Sequence, residues 1–230
     1  MIDLLYRVDT INKQKQLVKL VCIRYYYRPK IREAVCSMKN SQYLLELIER
    51  IGNLLRLEER ELGKADGLQP VHVQVLEYLA LCNRFSNTPL SLSRYLGISK
   101  GTVSQSVIVL ENKGLISKSQ DENDRRIVHL ALTGAGKEVV KNAFSSEQWT
   151  NTCERLPAQQ RERMAEDLTQ LLQELTHQHQ AQSFGVCRTC QHFRYEGSDY
   201  SCSLLQIPLE ACETAKLCHE HSAKSKTSNA

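Results

Sequence analysis

The stretch from Ser91 to Gly136 constrains the fold of this chain more than any other. Its pattern predicts a short helix, a turn, a second helix and then a β-hairpin with a charged tip. Leu92, Tyr95 and Leu96 recur at helical spacing and form the apolar face of the first helix. Gly97 suits the turn that follows, where a left-handed backbone costs glycine little. Ser99 is placed to cap the second helix, leaving Lys100 and Thr102 in its exposed first turn. Val103, Val107 and Leu110 should face a core, and Thr102, Gln105 and Ser106 should point elsewhere. Gly114 stops this helix and Leu115-Ile116 start a strand. Residues 121–124 make a turn, and Arg125-Arg126 begin the returning strand.

A helix with short polar side chains beside a hairpin has the dimensions to read double-stranded DNA. The major groove admits one helix, and each base pair shows a distinct donor and acceptor pattern there. Lys100, Thr102, Gln105 and Ser106 are the candidates for base readout. Gln105 is the strongest, because an amide bonds adenine bidentately. Ser99 and Ser104 are candidates for phosphate contacts, which position a domain without specifying sequence. Arg125 and Arg126 at the hairpin tip are candidates for DNA contact, with Lys113 and Lys118 as further phosphate contacts. Capping and solvation are the competing roles for the serines and threonines, and a solvated hairpin is the competing role for the arginines.

The segment resembles the winged helix-turn-helix of the MarR family of transcription regulators. The closest correspondence is Asp121-x-x-Asp124-Arg125-Arg126-x-x-x-Leu130-x-Leu132-Thr133-x-x-Gly136. Glu122 stands where the family has a proline. The resemblance extends over about residues 40–180. It implies a homodimer on a palindromic operator, usually as a repressor. It also implies that Arg126 pairs with Asp124 to hold the wing, leaving Arg125 for a narrow minor groove, and that a small-molecule effector sits between the dimer helices and the winged helix.

Charge and length agree with a regulator built around one such domain. The net charge of +4 is too small for a polycation that coats nucleic acid, so binding must come from local placement of Lys and Arg. No stretch approaches the roughly 20 apolar residues of a membrane span. Residues 1–37 carry net +5 but lack the apolar run and small-residue site of a signal peptide. They read either as a basic arm touching phosphates or as a segment outside the functional protein, with Met38 as a start. The second reading is favoured. A cytoplasmic location follows, with thiols reduced.

The fold expected is mainly α with a small β-wing, in which residues 38–180 form the winged-helix domain. Leu44, Leu47, Ile48, Ile51, Leu54, Leu55 and Leu62 mark a first helix. Gln69-Pro70 start a second, with Val73, Val75, Leu76, Leu79 and Leu81 as its buried face. Thr133 can cap a helix starting at Gly134. A break near Leu156-Pro157 precedes a last helix carrying Met164, Leu168, Leu171, Leu172 and Leu175. The terminal leucine stripes exceed what one winged helix covers. Pairing between two subunits would bury them, and by resemblance they form the dimer interface. An intrachain pair in a monomer is the alternative. Residues 181–186 read as a linker.

Five of the nine cysteines, Cys187, Cys190, Cys202, Cys212 and Cys218, fall in the last 44 residues. In a reducing compartment such a cluster points to a metal before disulfides. Cys187-x-x-Cys190 is a knuckle that aims two thiolates at one point, and two later ligands would close a tetrahedron. Cys187, Cys190, Cys202 and Cys218 are the expected ligands, with Cys212 and His221 as reserves. Residues 184–221 would form a small metal-stabilised module around Phe193, Tyr195, Tyr200, Leu204, Leu205 and Ile207. Residues 222–230 would be a disordered tail. Zinc and an iron–sulfur cluster both suit thiolates. The module either senses or only stabilises.

The leading function is a non-enzymatic, dimeric DNA-binding regulator. A metal-stabilised adaptor recruiting a partner protein, with DNA binding secondary, is the alternative. A thiol–disulfide oxidoreductase using Cys187 and Cys190 is weaker, because no βαβ pattern surrounds them. His177 and His179, two apart on a helix, point to different faces and read as exposed polar residues.

Overall fold

The computed structural model describes residues 40–64, 66–122, 124–144, 147–179 and 181–224. The two readings of residues 1–37 therefore lie outside the described residues. The chain divides into two compact units between Leu57 and Glu58. It is mainly helical with a small β-wing, as the pattern predicts. Helix α1 (Asn40–Lys64) is amphipathic, and Leu44, Ile48, Ile51 and Leu54 on it are exposed.

Helix α2 (Pro70–Leu81) begins at proline, whose missing N–H is no loss in a first turn. Gln69 donates its backbone N–H to His72 Nδ1 at 3.2 Å, which closes the start. Val73, Val75, Leu76 and Tyr78 are buried and form the centre of the core, each side chain contributing roughly 1.5–3 kcal/mol by leaving water. Leu81 departs from expectation. It is exposed, because α2 ends there and Cys82 turns extended.

Helix α3 (Pro89–Leu96) is capped by Thr88, whose hydroxyl accepts from Ser91 N–H at 3.2 Å. It ends at Gly97 with φ +64°, the left-handed turn that glycine adopts without strain. Helix α4 (Lys100–Asn112) follows, and Ser99 Oγ accepts from the Thr102 N–H at 3.1 Å as expected. Val103, Val107 and Leu110 pack into the core beside Leu92.

Strands β1 (Ile116–Gln120) and β2 (Val128–Leu132) pair antiparallel, with Ile116 opposite Leu132. The returning strand thus starts later than predicted, and Arg125-Arg126 lie in the turn. Two carboxylates prolong it. Asp121 Oδ1 accepts from Asp124 N–H and Asp124 Oδ1 from Arg126 N–H, both at 2.9 Å. Thr133 caps α5 (Gly134–Phe144), its hydroxyl accepting from Gly136 N–H at 3.1 Å and donating to the Gly114 carbonyl at 2.6 Å. Helix α6 (Glu147–Glu154) is an addition to the predicted order, and α7 (Ala158–Gln178) starts after Pro157. No residue of α7 is buried, and its five apolar residues named above are all exposed.

The C-terminal module is a set of short strands: β3 (Gly185–Val186), β4 (Phe193–Glu196), β5 (Asp199–Cys202), β6 (Ile207–Leu209) and β7 (Leu217–Cys218). β4-β5-β6 is an antiparallel meander, and β3 pairs with β7. Its small core is Cys187, Leu209 and Cys218, with Phe85, Phe193, Tyr200, Cys202 and Ile207 against them. Tyr195, Leu204 and Leu205, expected inside, are exposed, since so small a sheet has only one face to cover. The segment expected as a linker is docked: Phe184 packs on the winged-helix core and meets Tyr95 edge-on at 5.2 Å. Part of the expected tail is also ordered. Ser222 O accepts from Gln191 N–H at 2.8 Å, and Ala223 bridges Cys190. Residues 225–230 lie outside the described residues.

Candidate nucleic-acid interface and thiol cluster

The solvent face of α4 follows from where the helix buries its other side. Lys100, Thr102, Ser104 and Gln105 are exposed. Ser106 is not: it is 3% exposed and its hydroxyl donates to the Thr102 carbonyl at 2.9 Å. Its place in the base-reading set is thereby corrected. It lies three residues after Val103 and four before Leu110, hence on the core face. Ser99 Oγ is engaged by the Thr102 N–H and hydroxyl, so its first role is the cap. Ile108 on the same helix is exposed as well.

In the wing, Arg125 and Arg126 are both exposed. The expected ion pair of Arg126 with Asp124 is not present among the described residues; Asp124 instead receives the Arg126 backbone N–H. Lys118 is paired with Glu111 at 2.5 Å, and Lys113 donates to the Asp66 carbonyl at 2.9 Å. Both are thus engaged within the fold. His129, which the sequence reading did not single out, lies between Asn87 Oδ1 at 2.6 Å and Asp121 Oδ2 at 3.1 Å.

Cys187 and Cys218 lie together in the small core with Cys202 packed against them, and Cys190 is near enough to act on the Cys187 thiol. The Cys187 thiol is pushed far above the ordinary range by its hydrogen bond with Cys218, by burial, and by Cys218, Cys202 and Cys190 nearby. Cys218 is displaced downward, chiefly by the same hydrogen bond, and also by the Asn83 side chain and the Glu220 backbone N–H. Ser222 N–H points at Cys190 Sγ from 3.5 Å. Even so, no group of three or more His, Cys, Asp or Glu side chains among the described residues is set up to hold a metal ion.

The reserves stand apart. Cys212 is exposed and turns to Glu210 Oε2 at 3.5 Å. His221 is buried, with Nδ1 at 3.0 Å from the Ser183 hydroxyl and Nε2 at 3.0 Å from that of Thr189. Both ring nitrogens are thus occupied by hydroxyls. Burial holds this imidazole below its usual pKa. Cys82, outside the predicted set, is buried, and its thiol is pushed up to about 12 by burial. His177 and His179 are exposed.

The module is bonded to the winged helix through the segment after α2. Asn83 N–H donates to the Leu217 carbonyl at 2.9 Å, and His219 N–H donates to Ser86 Oγ at 2.9 Å. Arg84 Nε reaches Glu213 Oε1 at 3.4 Å, and Gln182 Nε2 donates to the His219 carbonyl.

Comparison with known proteins agrees with this geometry over its central part. Residues 66–127 match the sequence model of the MarR family. The transcriptional repressor MprA of Escherichia coli K12 is 33% identical over 89 residues, which is 38% of this chain and 51% of that protein. The chain spans about half the length of the curated relatives it matches. FabT of Streptococcus pneumoniae in complex with DNA superposes with a TM-score of 0.50 at 25% identity, over 60% of this chain and 99% of that one. CouR from Rhodococcus jostii RHA1, bound to p-coumaroyl-CoA, gives 0.51 at 20% identity, over 59% of this chain and 95% of that one. Among the described residues no helix is long and apolar enough to cross a membrane. The chain is thus mainly helical with a small β-wing, and residues 66–127 are similar to the winged helix of the MarR family.

Proposed function

We propose that this protein is a sequence-specific DNA-binding transcription regulator, non-enzymatic, acting as a homodimer and as a repressor. The observation that carries the reading is the exposed polar face of α4, Lys100, Thr102, Ser104 and Gln105, with Arg125 and Arg126 exposed on the adjoining wing. The helix enters the major groove and the wing arginines follow the minor groove. The exposed apolar residues of α1 and of α7 supply the surfaces for a second copy. The resemblance adds a small-molecule effector, to which no residues are assigned.

Cys187, Cys190, Cys202 and Cys218 hold zinc or an iron–sulfur cluster in this proposal. The mutual proximity of the four thiols supports it, as do the N–H groups of Ser222 and Glu220 directed at Cys190 and Cys218. Binding requires the Cys187–Cys218 hydrogen bond to give way, with release of its proton.

The test is metal analysis and a visible spectrum on anaerobically purified protein, with sedimentation. A duplex selected from a randomised pool is then bound before and after chelation or oxidation. A dimer that selects one palindromic sequence, with zinc or with iron and sulfide bound, is expected. A chain that selects no sequence sinks the regulator reading. A metal-free, colourless preparation sinks the metal site alone.

A further inference from the structure

Six residues between α2 and α3, 83–88, are bonded on one side to the strand that carries Cys218 and on the other to the wing. On the module side, Asn83 N–H meets the Leu217 carbonyl. Ser86 Oγ accepts from His219 N–H, lies 3.2 Å from His219 Nδ1, and donates to Asn83 Oδ1 at 2.6 Å. The segment itself is fixed: Tyr78 donates its phenol to the Ser86 carbonyl at 2.7 Å, and Ser86 is fully buried.

On the wing side, the next residue takes over. The Asn87 carbonyl accepts from Leu130 N–H at 2.8 Å, in β2. Asn87 Oδ1 lies 2.6 Å from His129 Nδ1, and the other ring nitrogen of His129 reaches Asp121 Oδ2. Asp121 Oδ1 holds the Asp124 N–H, and Asp124 holds the Arg126 N–H. One series thus runs from the residue after Cys218 to the arginine tip, through hydrogen bonds and the peptide link from Ser86 to Asn87.

We propose that His219, Ser86, Asn87 and His129 are positioning residues for the wing, and that the C-terminal module seats the wing arginines through them. This rests on the DNA-binding reading for its purpose, but not for its mechanics. A hairpin of two short strands is marginally stable alone, so its tip goes where its supports place it. Its supports include the Lys118–Glu111 pair midway along β1 and the Asn87–His129–Asp121 bridge one position nearer the tip. Loosening the module loosens Ser86, and with it the residue that holds both Leu130 and His129.

The experiment is backbone amide exchange on the full chain and on His219→Ala, Ser86→Ala, His129→Ala and His129→Gln, followed by groove-resolved footprinting on the selected duplex. In His219→Ala and Ser86→Ala we expect exchange at residues 124–130 to quicken about tenfold while the α2 and α4 amides stay slow. Minor-groove protection is lost and major-groove protection kept. His129→Gln, whose amide can still bridge two oxygens or nitrogens, keeps slower wing exchange than His129→Ala. Faster exchange confined to residues 187–224 overturns the proposal, because module and wing are then independent. Uniform quickening in His219→Ala passes the decision to Ser86→Ala and His129→Ala, and wild-type wing exchange in both overturns it. If the wild-type chain selects no duplex, the regulator reading fails, and the exchange data still decide the mechanical link.

Discussion

Asn83 donates its backbone N–H to the carbonyl of Leu217 at 2.9 Å, across 134 positions of sequence, so the end of α2 and the last strand of the module are one bonded structure. The residue that follows Leu217 is Cys218, in hydrogen-bond contact with Cys187 and with the Asn83 side chain. The thiol cluster therefore abuts the winged helix.

Removal of residues 183–230 is consequently expected to damage the winged helix. It strips Phe184 from Tyr95 and uncovers Cys82, Asn83 and Ser86, all buried in the full chain. A melting temperature several degrees lower is expected, consistent with the loss of about 2 kcal/mol. Thermal unfolding followed by circular dichroism measures it. An unchanged transition would mean that the module merely rests on the surface.

Gly136→Ala should destabilise the fold by about 1–3 kcal/mol. A Cβ there would stand 2.0 Å from the Leu115 carbonyl oxygen, which itself accepts from Thr133 N–H. Gly134→Ala is the control, because nothing lies within 4 Å of its Cβ position. Urea titration of both separates close approach from simple helix propensity; equal stability in the two variants would refute the argument.

Gln105→Ala and Ser106→Ala should part company in DNA binding. Gln105 is exposed on the proposed reading face, and losing it should remove about 1–3 kcal/mol of discrimination at one base pair. Ser106 lies under that face, so its loss should cost about 0.5–1.5 kcal/mol of stability with discrimination intact. Competition binding with single-base variants of the selected duplex checks both. A discrimination loss in Ser106→Ala alone would reverse the assignment of the face.

Glu77 gives the fold a pH dependence of known sign. Burial, reinforced by Glu59, raises its carboxyl to about 7 in the folded chain from 4.5. The folded state therefore binds the proton more tightly than the unfolded state. Stability falls as pH rises from 4.5 through 7, and the full cost stands above that window. Glu77→Gln should melt higher than the parent at about pH 9 and equal to it at about pH 4. A constant offset across the range would show that the charge is not the cause.

The helices and their caps were legible in sequence because their signals are local. Thr133, Ser99 and Gly97 act within four residues of themselves. Ser106 was misplaced because its polarity masked a position that helical spacing assigns to the core. The Arg126–Asp124 pair was carried over from resemblance, whereas the Asp124 carboxylate here is spent on backbone N–H in a longer turn. The seat formed by Asn83, Ser86 and Asn87 had no periodicity to announce it. Its partners, Leu217, His219, His129 and Leu130, lie more than 40 residues away. The Cys187-x-x-Cys190 spacing marks where the module begins, but spacing says nothing of which hydroxyls would claim His221.

The segment 83–88 also decides where this chain can change length. It stops one helix, starts the next, seats a strand from the far end of the sequence and supports the wing, all within six residues. An added residue would have to lengthen all four arrangements together, so an insertion here should be among the least tolerated in the described chain. Surface turns whose tips bond mainly to themselves, such as the one at Gly197, are the places to splice in a label or a tag.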